Sequence, residues 1–577
     1  MAGMYWFHWY KNKGMAAEKT YPNAYIESVS GGSIRALQGG NTYQWKLAGK
    51  IEDKDTKVLA DVVVRNEKVV KITKKPEKIV GKLLTWEEGA VTIQNYGKVS
   101  VSTGAALYVT QGDCVSQGKW SDLAVGMEPD GWVVAGEEIC GAFVKKQAVS
   151  NIRVLLKGTQ KEYGRSRIAV QGTKLYYTVQ DGRIEPHKAG SKIFVEPAQV
   201  KKRLVLYGEG GNEWKIDGGS YGYQGTMEIT NRNQKLYLVN ELPLQNYLYG
   251  VVPGEMSASS SLEALKAQAV CARSYAYIQM MHNKYEAYGA HVDDSVNFQV
   301  YNKQNQTPET VAAVDETKGQ VLSYKGDIIE TYYYSTSYGH TGDYEAWNLD
   351  KDAYGYLQGV WVRSEENPID LSDEKSFLDY ISNVDSACYE SDLKYFRWNT
   401  VLDFQGKDET LLHTIADRKE HQPEAISYYK DASKTETTDS CSNFGSLQAI
   451  KVVKRNQSGV ILELELDFQN GAVSVQSEYN MRAILGCGIT NINLLDGSSV
   501  EMSILPSAYI SIQAKGDGTY AVLGGGYGHG IGMSQNGAQK LCGQGFDYKR
   551  ILNYFYQDTE LTELYQPQNM TKEEGGA

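Results

Sequence analysis

Glu241–Asn283 reads ELPLQNYLYGVVPGEMSASSSLEALKAQAVCARSYAYIQMMHN, and the fold turns on how that stretch is parsed. Val251-Val252-Pro253-Gly254-Glu255 closes an apolar run with a Pro-Gly break, so Glu255 is expected where the backbone turns. A serine cluster follows, Ser257 and Ser259 to Ser261. Ser260 with Glu263 reads as a capping box, each side chain answering a backbone N–H that the first helical turn leaves unpaired, and predicts a helix start there. Leu262, Leu265, Ala269, Ala272 and Ala276 recur at three- and four-residue steps and form a narrow stripe of small residues. Lys266 and Arg273 lie two turns apart and share one side of that helix. The arrangement places two cations along one wall of a cleft with Glu255 at its mouth. By physical chemistry alone the bland reading competes: a carboxylate after Pro-Gly is ordinarily solvated, and helix cations are ordinarily its wet face.

Length and charge narrow the field. A chain of 577 residues exceeds one ordinary domain, and 41% hydrophobic with 22% charged residues is a globular composition. A formal charge of -11 argues against non-specific binding to nucleic acid or to an anionic membrane, since both need a basic footprint. Tyrosine is abundant, 42 residues against 11 Phe and 10 Trp. A phenol suits sugar rings and half-buried strands alike. Seven cysteines contain no C-x-x-C pair, which removes zinc ribbons and thioredoxin-like motifs; Cys114–Cys140 and Cys388–Cys441 are candidate bridges in an exported protein.

In chain order, residues 1–25 read as a linker or anchor remnant. Tyr5, Trp6, Phe7, Trp9 and Tyr10 before Lys11 and Lys13 look like the interfacial edge of a membrane span. Residues 26–145 show short alternating runs, among them Val58 to Val64, Lys68 to Ile72, Ala90 to Ile93, Val99 to Val101 and Ala106 to Val109, which predict one or two small β domains. Strands resume at Asn151–Leu156, and residues 150–565 form the next unit, with a polar, charged peripheral insertion at about 363–440. Residues 566–577 read as a disordered tail.

Leu523 to Ala538, LGGGYGHGIGMSQNGA, carries six glycines between Gly524 and Gly532. So many missing side chains are expected where a ligand or strand approaches closely or φ is positive. No Gly-x-Gly-x-x-Gly or P-loop Lys occurs there, Asn536 spoils a nucleophile elbow at Ser534, and there is no H-E-x-x-H. Nucleotide, serine-hydrolase and zincin readings lose their motifs.

Three separated segments together resemble the SpoIID/LytB family of stage II sporulation protein D and amidase-enhancer proteins. They are Leu242 to Met256 with Leu262 to Ala269, Tyr334 to Ser337 with His340-Thr341, and Gly528 to Gln535 with Gly537-Ala538. The resemblance covers roughly residues 150–565. It implies a β-rich catalytic domain whose central helix lines a glycan cleft; with the small all-β domain or domains read before it, the expected fold class is α+β. It also implies bacterial cell-wall glycan as substrate and a lytic-transglycosylase-like activity on peptide-stripped strands. The family's catalytic glutamate falls on Glu255 and its helix cations on Lys266 and Arg273. Gln299, Tyr301, Ser335, His340, His529, Ser534 and Gln535 complete the expected substrate-binding set. Some members bind zinc near the segment Asp293 to Tyr301, but no Cys lies between Cys271 and Cys388 here, and His291 alone cannot hold a closed site. No metal and no cofactor are expected.

One carboxyl suffices for this chemistry. Ordinary glycosidases use two, whereas a sugar's own 6-hydroxyl attacking C1 replaces the second through high effective molarity. Glu255 is then general acid and afterwards base, which requires it protonated near neutral pH; Tyr247, Tyr249, Val251 and Val252 are expected to provide an apolar surround. Lys266 and Arg273 are expected on glycan oxygens or a neighbouring acid. The rival reading is a non-catalytic wall-binding protein that enhances a partner amidase. Both place the protein outside the cytoplasm at the wall, with glycan strands and a wall amidase or other wall-remodelling protein as partners, and the aromatic edge at Tyr5 to Tyr10 is expected to follow a membrane anchor that is absent from this chain.

Overall fold

The computed structural model describes residues 18–49, 56–111, 114–145, 150–158, 162–295, 297–302, 305–364 and 369–564. The aromatic cluster at Tyr5 to Tyr10 and the tail 566–577 lie outside the described residues. The fold is α+β and strand-rich. It divides into two compact units, one formed by residues up to Val251 together with Ala276–Asn305, the other by Val252–Tyr275 with Gln306–Glu563.

In the first unit, alternating apolar residues make half-buried strands. Glu18–Ser30, Ser33–Gln38, Asn41–Leu47, Val58–Arg65 and Lys68–Lys75 close into a barrel around Ile26, Ile34, Ala36, Val62 and Val69. Residues 18–25, read as the end of a linker, therefore belong to a strand, with Tyr25 opposite both Leu37 and Leu59. The next sheet holds a 15-residue strand, Gly97–Gln111, that fuses two shorter expected runs. Tyr25 and Leu59 share a core with Tyr108, Val133 and Phe143 of that sheet. A third sheet pairs Asn151–Leu156 antiparallel with Lys235–Pro243 and parallel with Val292–Asp293. Asn233 and Gln234, both at positive φ, make the tight turn before Lys235.

Two sheets of the second unit share one core. The five-stranded sheet is centred on Trp398–Asp403, and the four-stranded sheet contains Leu447–Arg455 and Ile461–Phe468. Leu402, Leu464, Leu466, Ile484 and Val522 are buried there. The segment 363–440, expected to be peripheral, supplies Phe377, Phe396, Trp398, Leu402 and Leu411 to the buried interior. Its charges lie on the outer faces of helices such as Asp408–His421, which hid the apolar stripe Leu411, Leu412 and Ile415. All seven cysteines are free thiols, so neither Cys114–Cys140 nor Cys388–Cys441 is bridged.

The opening stretch folds as two helices. Helix α1 spans Leu244–Glu255 with Pro253 inside its last turn, and α2 spans Leu262–His282. The backbone does not turn at Pro253-Gly254. A proline forfeits one N–H and crowds the preceding turn, but Val251, Val252 and Pro253 are buried, and that burial carries the helix through.

Candidate functional site

Glu255 is the last residue of α1, half-buried, with Met256 donating back to Val252 O at 3.0 Å. The cap of α2 comes one residue later than its sequence pattern indicates. Ser261 Oγ accepts from Ala264 N at 3.4 Å, and because Ala264 has no reciprocal group, Gln539 Oε1 takes the Ser261 N–H at 2.7 Å. Glu263 instead accepts from Tyr548 N at 2.8 Å and pairs with Lys266.

Helix α2 is buried on nearly every side. Between Ala264 and Ser274 only Lys266 is not buried, so the expected wet face does not exist. Lys266 Nζ bridges Glu263 at 2.8 Å and Glu316 at 2.7 Å; burial pulls its pKa down, and the two carboxylates outweigh that and hold it up. Arg273 is 1% exposed and donates to Gln320 O at 3.0 Å and Val314 O at 3.2 Å, closing the end of the helix Pro308–Glu316. Its guanidinium is turned onto the protein's own carbonyls, which is where the structure departs from an expected glycan contact. A group so enclosed has no face left for a sugar.

The two motif segments lie side by side although about two hundred residues separate them. Tyr333 and Tyr334 pair in parallel register with Met533 and Ser534, Thr336 bridges Tyr527, and Gly342 bridges Ile531. The glycines make this closeness possible. Gly530 has φ +82°, and a Cβ there would lie 2.2 Å from Tyr509 Oη; at Gly532, φ +78°, it would lie 2.1 Å from Tyr332 O.

Gln535 joins these segments to the helices. Its Nε2 donates to the backbone carbonyl of Glu255 at 2.9 Å and to Gln268 Oε1 at 3.3 Å. Gln268 is fully buried, and its own Nε2 has no partner among the described residues. Ser335 is half-buried, its Oγ 3.1 Å from Thr336 Oγ1 and its carbonyl accepting from Asn536 N at 3.0 Å.

Both histidines are held neutral by burial, which lowers each to about 4. His529 Nδ1 accepts from Ile531 N at 3.1 Å, so Nε2 carries the proton and donates to Tyr333 O at 2.9 Å. Trp347 lies 5.1 Å from its ring. His340 Nδ1 donates to Thr341 O at 2.6 Å, and its ring meets Trp361 edge-on.

Ser534 is fully buried. Its Oγ accepts from Gly537 N at 3.1 Å, capping the helix Gln535–Gly543, and donates to Glu390 at 2.8 Å. Glu390, itself at 0% exposure, also accepts from Ser337 N at 3.0 Å and from the Ser337 hydroxyl. Burial raises its pKa to about 7 against the pull of those hydrogen bonds. Sequence reading missed both Glu390 and Gln268. Glu390 sits in the segment read as peripheral, and the one available sign for Gln268 was its place in the quoted helix beside small residues.

Gln299 and Tyr301 belong to the first unit. Both are buried, and Tyr301 Oη donates to Asn240 at 2.9 Å and packs 4.8 Å from the Tyr247 ring. Tyr247 and Val251 are likewise buried in that unit. His291 there accepts from Arg153 N at 3.0 Å and donates to Val125 O at 2.6 Å, so both ring nitrogens are satisfied by backbone. Among the described residues no group of three or more His, Cys, Asp or Glu is arranged to hold a metal, and no helix is long and apolar enough to cross a membrane.

Comparison with known proteins fits this arrangement. Residues 232–324 match the family described as Stage II sporulation protein (SpoIID), and residues 340–532 match a Domain of unknown function (DUF8618). The chain is similar to the amidase enhancer of Bacillus subtilis (strain 168), 29% identical over 329 residues, which is 55% of this chain and 40% of that protein. It is also similar to Stage II sporulation protein D of the same organism, 26% identical over 342 residues, 56% of this chain and 76% of that one. An uncharacterised protein of Brachyspira hyodysenteriae is 26% identical over 342 residues, 59% of this chain and 72% of that one. The chain thus spans less than half of the amidase enhancer's length. Glu255, both helices and the two cations all fall inside the first matched segment, over which the chain is similar to the SpoIID family.

Proposed function

We propose that this chain is a peptidoglycan lytic transglycosylase that cleaves the MurNAc–GlcNAc bond of peptide-stripped glycan strands. The observation that carries the reading is the hold of Gln535 on the Glu255 carbonyl, which ties the proposed acid to the glycine-rich segment. Glu255 donates its proton to the glycosidic oxygen as the C1–O bond breaks. The resulting carboxylate takes the proton of the MurNAc 6-hydroxyl as that oxygen bonds to C1, giving a 1,6-anhydro end with no water consumed.

The other residues divide by burial. Ser335 and Gln535, both half-buried, are the groups suited to sugar hydroxyls, whereas Arg273, Gln268 and Ser534 are enclosed and hold the walls in place, and half-buried His529 has both ring nitrogens engaged by backbone. This activity places the protein outside the cytoplasm at the wall. Digestion of peptide-free glycan strands followed by mass spectrometry tests it. Anhydro ends that vanish with Glu255→Gln support the reading; their absence from the wild type sinks it, and reducing ends in their place mean that water is the nucleophile. The name of the amidase enhancer favours a second reading, a non-catalytic wall protein that stimulates a partner amidase. An amidase assay with and without this chain, using Glu255→Gln, separates the two.

A further inference from the structure

In the first unit, Gly158, Glu162, Gly164 to Arg167 and the ends of Ile168–Gly172, Lys192–Val195 and Lys235–Pro243 surround a cavity of about 420 Å³. Its walls carry Arg165, Arg167, Lys192 and Lys235 against Glu162 and Asp217. In a chain whose formal charge is -11 this is a local excess of positive charge. Of the four cations only Arg165 is ion-paired among the described residues, through Nη1 to Asp217 at 3.0 Å.

Arg165 is the buried element, 8% exposed, and its Nη2 donates to Leu156 O at 2.8 Å. Its Nε has no partner among the described residues. A buried N–H left without an acceptor costs on the order of 1–3 kcal/mol, so the site calls for one. Gly158 keeps the approach open, since a Cβ there would sit 3.2 Å from Nε. Phe194, 50% exposed, lies beneath Arg167 at 5.0 Å and Lys192 at 5.2 Å. It offers a flat apolar face directly beside the cations.

We propose that this cavity binds an oxyanion, phosphate or carboxylate, carried by a sugar-containing or polyol wall polymer. The guanidinium and the two lysines take the charged oxygens, and Phe194 takes the adjoining carbon skeleton. The cavity lies in the first unit and its call for an oxyanion stands on its own residues, while the choice of a wall polymer as carrier rests on the wall location proposed above.

The test compares the full chain with the surface variant Lys192→Glu/Lys235→Glu and with Gly158→Ala. The probes are inorganic phosphate, a glycerol-phosphate polymer and peptide-stripped glycan strands, whose muramic lactyl groups are carboxylates. Because glycan strands are also the proposed substrate, the readout is the difference between proteins. At least one probe is expected to bind the wild type about tenfold or more tightly than the charge-reversed variant, with Gly158→Ala weakened as well and added salt reducing affinity. A loss confined to the phosphate polymer assigns a phosphate source, and a loss confined to glycan strands assigns a carboxylate source. Equal affinity of wild type and Lys192→Glu/Lys235→Glu for all three probes overturns the proposal.

Discussion

Gln535 holds Glu255 by its backbone rather than by its carboxyl, with Nε2 2.9 Å from the Glu255 carbonyl oxygen. The bond therefore sets where the carboxyl stands without neutralising it. Gln535→Ala is expected to lower kcat for anhydro-end formation roughly tenfold or more, because small displacements of a reacting group are costly. Thermal stability should move by about 1 kcal/mol, the worth of one ordinary hydrogen bond. Rates and melting curves on the same preparation check both numbers.

Glu390 gives a pH signature. Its pKa is raised to about 7 in the folded protein, so it contributes stability at low pH that is lost as pH rises towards 7. His340 and His529, lowered to about 4, work in the opposite sense and lose stability as pH falls below their ordinary range. Glu390→Gln removes only the first dependence. The variant is expected to gain in melting temperature relative to wild type as pH is raised from 5 to 8; a constant difference across that range refutes the assignment. Glu390→Ala leaves the Ser337 N–H without its acceptor and should be destabilising at every pH.

The two helix cations should behave differently. Arg273→Ala removes a buried side chain and its hydrogen bonds to the Val314 and Gln320 carbonyls and is expected to cost roughly 2–4 kcal/mol. Lys266→Met removes pairs with Glu263 and with a Glu316 side chain that is 52% exposed, and is expected to cost about 1 kcal/mol or less, diminishing with salt. Chemical denaturation of both variants at low and high salt distinguishes them.

Gly532→Ala tests the close approach of the glycine-rich segment. It forces an L side chain to φ +78° and drives Cβ to 2.1 Å from the Tyr332 carbonyl. We expect a loss of roughly 3 kcal/mol or more, seen as reduced soluble yield and a lowered melting temperature.

Much of this was legible in the amino-acid order. Strands such as Asn151–Leu156 and Ala90–Ile93 follow from their short, β-branched apolar runs. The glycines of Gly524 to Gly532 announced a close approach that the pairing of Tyr333 with Met533 explains. What was not legible depends on partners distant in sequence. Ser261 caps α2 because Gln539 completes the pair, and no local pattern shows that. Pro253 argues locally for a break, and only burial of its neighbours keeps α1 helical to Glu255. Glu390 had no sequence signal, since a carboxylate in a charged stretch reads as solvated until the fold encloses it. Arg273 and Lys266 look alike on a helical wheel and differ only in what covers them.

The parallel pairing of Tyr333-Tyr334 with Met533-Ser534 also sets an order of events during synthesis. A ribosome that has delivered Glu255 must still deliver the chain through Gln535 before the carbonyl of Glu255 meets its donor. Contacts of such long sequence separation form late, because loop closure must come first. A nascent or prematurely ended chain therefore carries the acid without its setting, and the site is assembled only when the last third of the protein has folded.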